Sequence, residues 1–547
     1  MRYSIDPRQI QLFDPDLQGY SEVALLRLQQ DWPGLFRKCL LKLMPVDLIG
    51  GQFDATMGRP TKELYSVCGL VFLMEFLDWT APEAADAYMF DQRVHYALNL
   101  GHDRLSMTTR TIERYRALFR DQGCAEAVMD RVTRQLVRLL NISVKRQRLD
   151  STHVFSNMAI FGRTRLMQAA IRRFLTQLKR HDADLLAAVP EELRLRHEPR
   201  NWEFGGGRES RITREQAAAD MLWLIRRFEA VPHLLNRTSF KDLVRIFNEQ
   251  CELRQDKVTI REKVGGDVMQ NPSDPEATRD GYKGPGYQVQ VSETCADENE
   301  VQLVVAALPQ SASEIDQNAV TQVLDREEEK GYLPEVLLTD GGFSSDRNHQ
   351  ECKKRGVDLL APVNNGPRKD NGLALEDFEI GPDRRILRCP AGRKPVTSQF
   401  DHHRGKGCAT FEEEWCKSCE LASRCPVVKH HRKYRIKFND KELRLASRRT
   451  EFKTPECRRV YALRSGVEGT FSRAKAVTGL GRLRVRGIAA VSMAIYLKLA
   501  GLNILRALGS EKLRRKIAAA MSGTASHRQN QPNYSWFTLS HELPVAA

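Results

Sequence analysis

The sequence lacks a long, clean apolar run. Its two most apolar stretches, Val67–Trp79 and Ile488–Leu508, are interrupted by Glu75 and by Lys498 and Asn503, and neither offers the ~20 uninterrupted apolar residues that a bilayer span requires. No membrane segment is expected. The amino terminus, MRYSIDPRQIQLFDPDL, carries acids within a few residues and no basic flank ahead of an apolar stretch, so no secretory leader is expected. No internal repeat is evident. Compositional bias is lacking as well: 41% hydrophobic and 28% charged residues exclude a wholly disordered, collagen-like or disulfide-framework chain. Twelve cysteines scattered over the chain without a leader read as reduced thiols in a cytoplasmic compartment.

What is present is length and positive charge. At 547 residues the chain exceeds the ~250–300 residues at which single cores stop growing, so several structural units are expected. Lys and Arg total 85 against 70 Asp and Glu, a net charge of +15. That surplus attracts polyanions and makes nucleic acid the leading partner class, against a basic enzyme whose charge serves only solubility.

Residues 1–140 read as helical. After the turn Gly58-Arg59-Pro60, Thr61 is placed to cap a helix of roughly 15 residues on which Leu64, Val67, Val71 and Met74 share a face. Shorter helices follow over Ala81–Tyr88, Gln92–Leu98 and Thr108–Phe119, resembling a small helix-turn-helix bundle. On the last of these, Thr108, Thr109, Arg110 and Arg114 suit phosphate contacts and base edges, or a solvated basic face. From Asn141 alternation signals a first strand, within 141–162, that ends by delivering Asp150. Residues 163–255 read as an all-helical insertion. Within 256–363, Gly286–Val291 and Val301–Leu308 read as an antiparallel pair, Glu314–Lys330 as a helix, and Val336–Thr339 as a strand delivering Asp340 into Gly341-Gly342-Phe343. A helix over Ser345–Lys354 and a strand over Val357–Ala361 complete the order. Residues 364–447 read as a loop-rich, basic, cysteine-bearing insertion. In 448–508, Thr454 as cap, Pro455 in the first turn and Gly479 at the stop mark one helix over Pro455–Val477, followed by an amphipathic helix over Ile488–Leu508. Residues 509–547 read as a basic, polar, mobile tail.

Asp150, Asp340 and Glu468 suit a site binding two divalent ions, since hard Mg²⁺ prefers carboxylate oxygens and paired metals stabilise both the attacking and leaving oxygens of a phosphoryl displacement. Any one of them could instead be a cap or a salt-bridge partner. Tyr461, Arg464, Glu468 and Lys475 stand at offsets of 0, 3, 7 and 14, which at ~100° per residue places them within roughly 60° on one helix face. On such a stripe Glu468 would hold metal while Arg464 and Lys475 bind phosphates and Tyr461 adds a hydroxyl donor. The competing reading is an exposed face with Arg464 and Glu468 as an (i, i+4) pair.

These residues resemble the signature of bacterial insertion-sequence transposases of the DDE class, in the form Tyr-(2)-Arg-(3)-Glu-(6)-Lys. Asp150 in Arg-Leu-Asp-Ser-Thr and Asp340 in Leu-Thr-Asp-Gly-Gly-Phe resemble the family's first two catalytic acids, and the likeness spans about residues 20–508. The resemblance implies an α/β fold with a ribonuclease-H-like mixed-sheet core, an all-helical DNA-binding amino-terminal domain, and helical and Cys-bearing insertions. It further implies catalytic Asp150, Asp340 and Glu468 holding two Mg²⁺ ions, with Mn²⁺ as a substitute, and cleavage at transposon ends followed by strand transfer from the released 3′-hydroxyl. The implied partners are double-stranded DNA with terminal inverted repeats and target DNA, met by a homodimer at the bacterial nucleoid. The alternatives are a catalytically silent DNA-binding derivative and a metal-dependent nuclease without strand transfer.

Two further groups add detail. Cys389, Cys416, Cys419 and Cys425 could make a tetrahedral zinc site around the one Cys-x-x-Cys pair, with buried reduced thiols as the alternative. Arg482, Arg484 and Arg486 alternate with Leu483 and Val485 as a basic edge or a solvated loop, and Arg473 adds a less specific DNA contact.

Overall fold

Branched and alternating residues build a central mixed sheet. Its strands are β1 (Arg146–Val154), β2 (Gly284–Thr294), β3 (Val304–Ser311), β4 (Val336–Thr339) and β5 (Asp358–Leu360), in the order β3-β2-β1-β4-β5, with the short strand Thr278–Asp280 also on β2. Pairing is antiparallel from β3 to β1 and parallel from β1 to β5. The structure is a computed structural model describing residues 1–5, 20–100, 105–197, 212–255, 257–363 and 372–516. The first strand corrects the sequence reading, because β2 pairs with β1 as far as Val154↔Tyr287 and so extends it past Asp150. The parallel pairing of β1 with β4 nevertheless stops at Leu149↔Thr339.

The front helices α1 (Leu64–Phe76), α2 (Ala81–Phe90), α3 (Gln92–Leu98) and α4 (Thr109–Asp121) fall close to where periodicity places them, and α5 (Cys124–Leu140) is a further helix for which no separate expectation stands. Glu63, not Thr61, caps α1: its carboxylate accepts from the Tyr65 and Ser66 N–H groups, whereas the Thr61 hydroxyl accepts from Tyr3 N at 2.9 Å. These helices share one hydrophobic core with β2, β3 and residues 467–507.

A helical insertion, α6 (Arg163–His181), α7 (Arg214–Phe228) and α8 (Thr238–Gln250), closes on its own core, where Phe174 meets Phe228 and Phe240 at 5.6 and 5.4 Å. It is not all-helical, because the antiparallel hairpin Cys251–Arg254/Lys257–Ile260 closes it. Helices α9 (Ala319–Lys330) and α10 (Asp346–Lys354) supply the connections into β4 and β5.

The second insertion is a sheet rather than a loop-rich region. Strands β6 (Thr397–Asp401), β7 (Lys406–Glu412), β8 (Val428–His430) and β9 (Lys433–Asn439) pair in the order β6-β7-β9-β8 over a small aromatic core. Their charged outward faces hide short alternating runs such as Tyr434, Ile436 and Phe438 from a helix-oriented reading. Helix α11 (Asp440–Phe452), opened by the Asn439/Glu442 capping box, crosses the expected boundary at 447.

The expected single helix over Pro455–Val477 is three elements: α12 (Pro455–Tyr461), a 3₁₀ turn over Ala462–Ser465, and α13 (Gly466–Thr478), which ends at Gly479 with φ +67°. The last helix, α14 (Ile488–Leu508), keeps its expected bounds but is a core helix rather than an amphipathic one, buried continuously from Met493 to Ile504. It is long and apolar enough to cross a bilayer, and here it lies inside the core. The polar interruptions of both apolar runs are paired. Glu75 meets Arg116 at 2.9 Å, Lys498 Nζ meets Asp78 at 2.8 Å, and Asn503 exchanges two hydrogen bonds with the Val304 backbone. Of the tail, residues 517–547 lie outside the described residues.

Candidate active site

Register brings the first two acids together. Leu149 and Thr339 are the last residues paired between the two parallel strands, so the next residues, Asp150 within β1 and Asp340 just past β4, stand side by side. The Gly342 N–H donates to Asp340 Oδ1 at 2.8 Å. A Cβ on Gly342 would stand 3.0 Å from that oxygen, a close approach, and 3.8 Å from Asp316 Oδ2, which places Asp316 near the same turn.

The third acid arrives from α13, and the break before that helix has a visible cause. Arg148 Nη1 donates to Leu463 O at 2.7 Å, engaging the carbonyl that an unbroken α-helix would direct at the Val467 N–H. A Cβ on Gly466 would stand 2.1 Å from the same nitrogen. On the resulting turn Arg464 points at the acids. Its Nη2 lies 2.7 Å from Asp150 Oδ2 and 3.9 Å from Asp340 Oδ2, and its Nη1 lies 3.9 Å from Glu468 Oε1. The side chains grade from floor to rim: Asp150 is 13% exposed, Asp340 39% and Glu468 73%.

Arg148 is itself held from below. It faces Glu293 across the β1–β2 register and binds it through Nε at 2.8 Å. Glu293 also accepts from Thr470 of α13 at 2.8 and 2.9 Å and from Arg506 of α14. This buried node fixes α13 against the strand that carries Asp150.

Charge at the candidate site is unbalanced, with three carboxylates facing one guanidinium. Burial pushes the Asp150 carboxyl above its ordinary range, Arg464 and the Ser151 N–H pull it back, and Asp340 and Asp316 push it further up. Asp316, whose Oδ1 accepts from Gln290 Nε2 at 2.8 Å, is a fourth acid that the sequence reading missed. The oxygen-only donor set fits a hard divalent cation. The arrangement differs from the expected metal site in one respect: the acids close on Arg464, and among the described residues no group of three or more His, Cys, Asp or Glu side chains is arranged to hold a metal ion. Arg464 therefore faces inward rather than lying along an outer phosphate-binding stripe. Tyr461 packs edge-on to Phe452 at 4.8 Å, and burial pushes its hydroxyl up.

The remaining expected contacts divide. Arg473 and Lys475 are exposed on α13, and burial of part of the Lys475 side chain, followed by the charge of Lys283, pushes its ammonium down. Lys283 and the fully exposed Tyr282 form a turn whose two N–H groups are held by Asp280 Oδ1 at 2.8 and 2.6 Å. The Asp-Gly-Tyr-Lys-Gly run carried a readable turn signal for them. The Arg482–Arg486 run is extended and joins the end of β1, with Leu483 N donating to Phe155 O at 2.8 Å and Asn157 N to Val485 O at 3.0 Å. Arg482 is exposed, Arg484 binds Asp78 at 3.1 Å, and Arg486 donates to Asn157 O. Arg110 is exposed on α4, and Arg114, beside it, lies 5.7 Å over the Phe53 ring. Cys389, Cys416, Cys419 and Cys425 are free thiols, and Cys416 is pushed up to about 11 by burial and by the other three. They share one neighbourhood, without an arrangement that holds zinc among the described residues. His153 is structural: its Nε2 lies 3.3 Å from Pro285 O, and burial pushes its pKa down.

Residues 388–508, under a quarter of the chain, match the family model described as a transposase DDE domain. The matched segment contains Glu468 and Arg464 but neither aspartate, and it supports a DDE-type transposase. No curated protein matches the chain. Among solved structures, the piggyBac transposase in a cryo-EM synaptic complex with hairpin DNA is similar at 8% identity and a TM-score of 0.29, over 96% of this chain and 86% of that one. A likeness that slight carries no argument about fold or function.

Proposed function

We propose that this chain is an insertion-sequence DNA transposase that cuts phosphodiester bonds at the inverted-repeat ends of its element and joins the released 3′-hydroxyl to target DNA. The observation carrying this reading is the convergence of Asp150, Asp340 and Glu468 from two strands and a helix upon Arg464. The strand order, with three antiparallel strands followed by two parallel ones, supports a ribonuclease-H-like core.

Asp150, Asp340 and Glu468 would hold two Mg²⁺ ions, or Mn²⁺, which when bound supply Lewis acidity at the attacking and leaving oxygens. In the first step a water oxygen bonds to the scissile phosphorus and the bond to the 3′ oxygen breaks. The water loses a proton to solvent as the departing oxygen gains one. In the second, that 3′-hydroxyl gives up its proton as its oxygen bonds to a target phosphorus, and the target 3′ oxygen it displaces leaves with a proton gained in turn. Lys475, Arg473, Arg482, Arg110 and Arg114 would hold phosphates, and Tyr461 would donate its hydroxyl beside them. Two ends joined in one complex favour a homodimer on DNA.

The test uses the full chain and duplexes carrying the terminal inverted repeats that flank its gene. Mg²⁺-dependent nicking followed by joining to a second duplex is expected. Binding without cutting would replace the reading with a silent DNA-binding derivative, and cutting without joining would replace it with a nuclease.

A further inference from the structure

We infer that Arg464 is a resident counter-ion that keeps divalent metal out of the acid cluster until a DNA phosphate takes over its guanidinium. The inference rests on the reading of the acids as a metal site and concerns how that site is loaded.

Three observations carry it. First, the Arg464 guanidinium faces Asp150 Oδ2 at 2.7 Å, Asp340 Oδ2 at 3.9 Å and Glu468 Oε1 at 3.9 Å. These carboxylates are the donors a divalent ion would use, so guanidinium and metal compete for them. Second, the guanidinium is held incompletely. Only the Asp150 contact is at hydrogen-bond length, and Nε is buried without a hydrogen-bond partner among the described residues. Arg148, two residues before Asp150 in the chain, uses both Nε and Nη1 at 2.8 and 2.7 Å. Third, Arg464 stands on the 3₁₀ turn between α12 and α13 beside the exposed Glu468. A tight turn within a helical segment is a place where a hinge is commonly found.

A phosphodiester offers the paired anionic oxygens that a guanidinium recognises best. Transfer of Arg464 to such a group removes the competitor and restores the full negative charge of the acids. Metal and DNA then bind with positive coupling, and by linkage the coupling is reciprocal. The same guanidinium thus performs the phosphate contact suggested by its sequence context and the acid contact seen in the fold, one after the other.

Mn²⁺ binding to the full-length protein, followed by the electron paramagnetic resonance of free Mn²⁺, tests this without any turnover. In wild type, a short duplex of random sequence should tighten Mn²⁺ binding by roughly 5- to 150-fold. Arg464→Ala and Arg464→Gln should bind Mn²⁺ tightly without DNA and gain little when DNA is added. Circular dichroism and melting of each variant establish that it is folded. Folded Arg464 variants that bind Mn²⁺ no tighter than wild type would overturn the inference. Asp150→Asn and Asp340→Asn separate the two levels. If they abolish Mn²⁺ binding while the Arg464 variants change nothing, the metal site stands and the gate fails; if they too change nothing, both fail.

Discussion

Two arginine–carboxylate nodes lie two residues apart on β1 and have opposite charge balance. At the Arg148 node a single acid, Glu293, fully buried, is shared by Arg148, Arg506 and Thr470. At the Arg464 node three acids, increasingly exposed, share one guanidinium, and the charge of Asp316 also acts on Asp150. The first node is saturated and dry, which is what a buried charge requires if it is to hold elements together. The second is deficient in positive charge and open to solvent, the condition under which carboxylates bind cations that arrive from outside. Charge balance, more than the presence of ion pairs, separates the structural node from the functional one.

The largest effects should come from unbalancing each node. Asp150→Asn, Asp340→Asn and Glu468→Gln should each lower strand cleavage by about 10²–10³-fold or more, with urea unfolding little changed. A variant of this set that cleaves normally would remove its acid from the site. Glu293→Ala should instead cost about 3–5 kcal/mol of stability, because Arg148 and Arg506 are left buried without their shared partner. Equal loss of stability from Asp150→Asn would erase the contrast between the nodes.

A buried acid without an arginine sharpens the comparison. Glu327 on α9 is pushed up to about 8 by burial, only partly offset by Ser292 and Lys330. Its folded pKa lies above the ordinary 4.5, so its contribution to stability is fully present below about pH 4.5 and is lost as pH rises toward 8. Stability measured across that window should fall less steeply in Glu327→Gln than in wild type, and identical slopes would show that the burial has no consequence. The smallest effect concerns the basic edge. Arg482→Ala should weaken DNA binding and reduce the salt slope by about 1, whereas Arg484→Ala, whose guanidinium is already held by Asp78, should change the slope less.

Much of the sheet is legible, because Gly286–Val291 alternates with period two and Val336–Thr339 is a short apolar run stopped by the Asp340-Gly341-Gly342 turn. The small sheet of β6–β9 is not, since its apolar positions are few and, in β9, separated by Lys and Arg. Asp150, Asp340, Arg464 and Glu468 were all nameable from local context, but Asp316 and Glu293 were not, since a single acid in a turn or strand carries no local sign of what faces it. Local capping chemistry points to Thr61, but its hydroxyl is taken by the Tyr3 N–H, which only the fold brings to that loop, and Glu63 caps the helix.

Periodicity, turn chemistry and the spacing of charged residues are properties of neighbours in the chain, and they specify most elements of the central core and nominate Asp150, Asp340 and Glu468. The break between α12 and α13, the saturation of Glu293 and the inward position of Arg464 arise between residues far apart in sequence; Arg464 and Asp150 are separated by 314 positions. Their separation is closed by strand register and by packing of α13 on the sheet. Local pattern leaves open which cation meets which carboxylate, because that depends on distances in space that only the assembled core establishes.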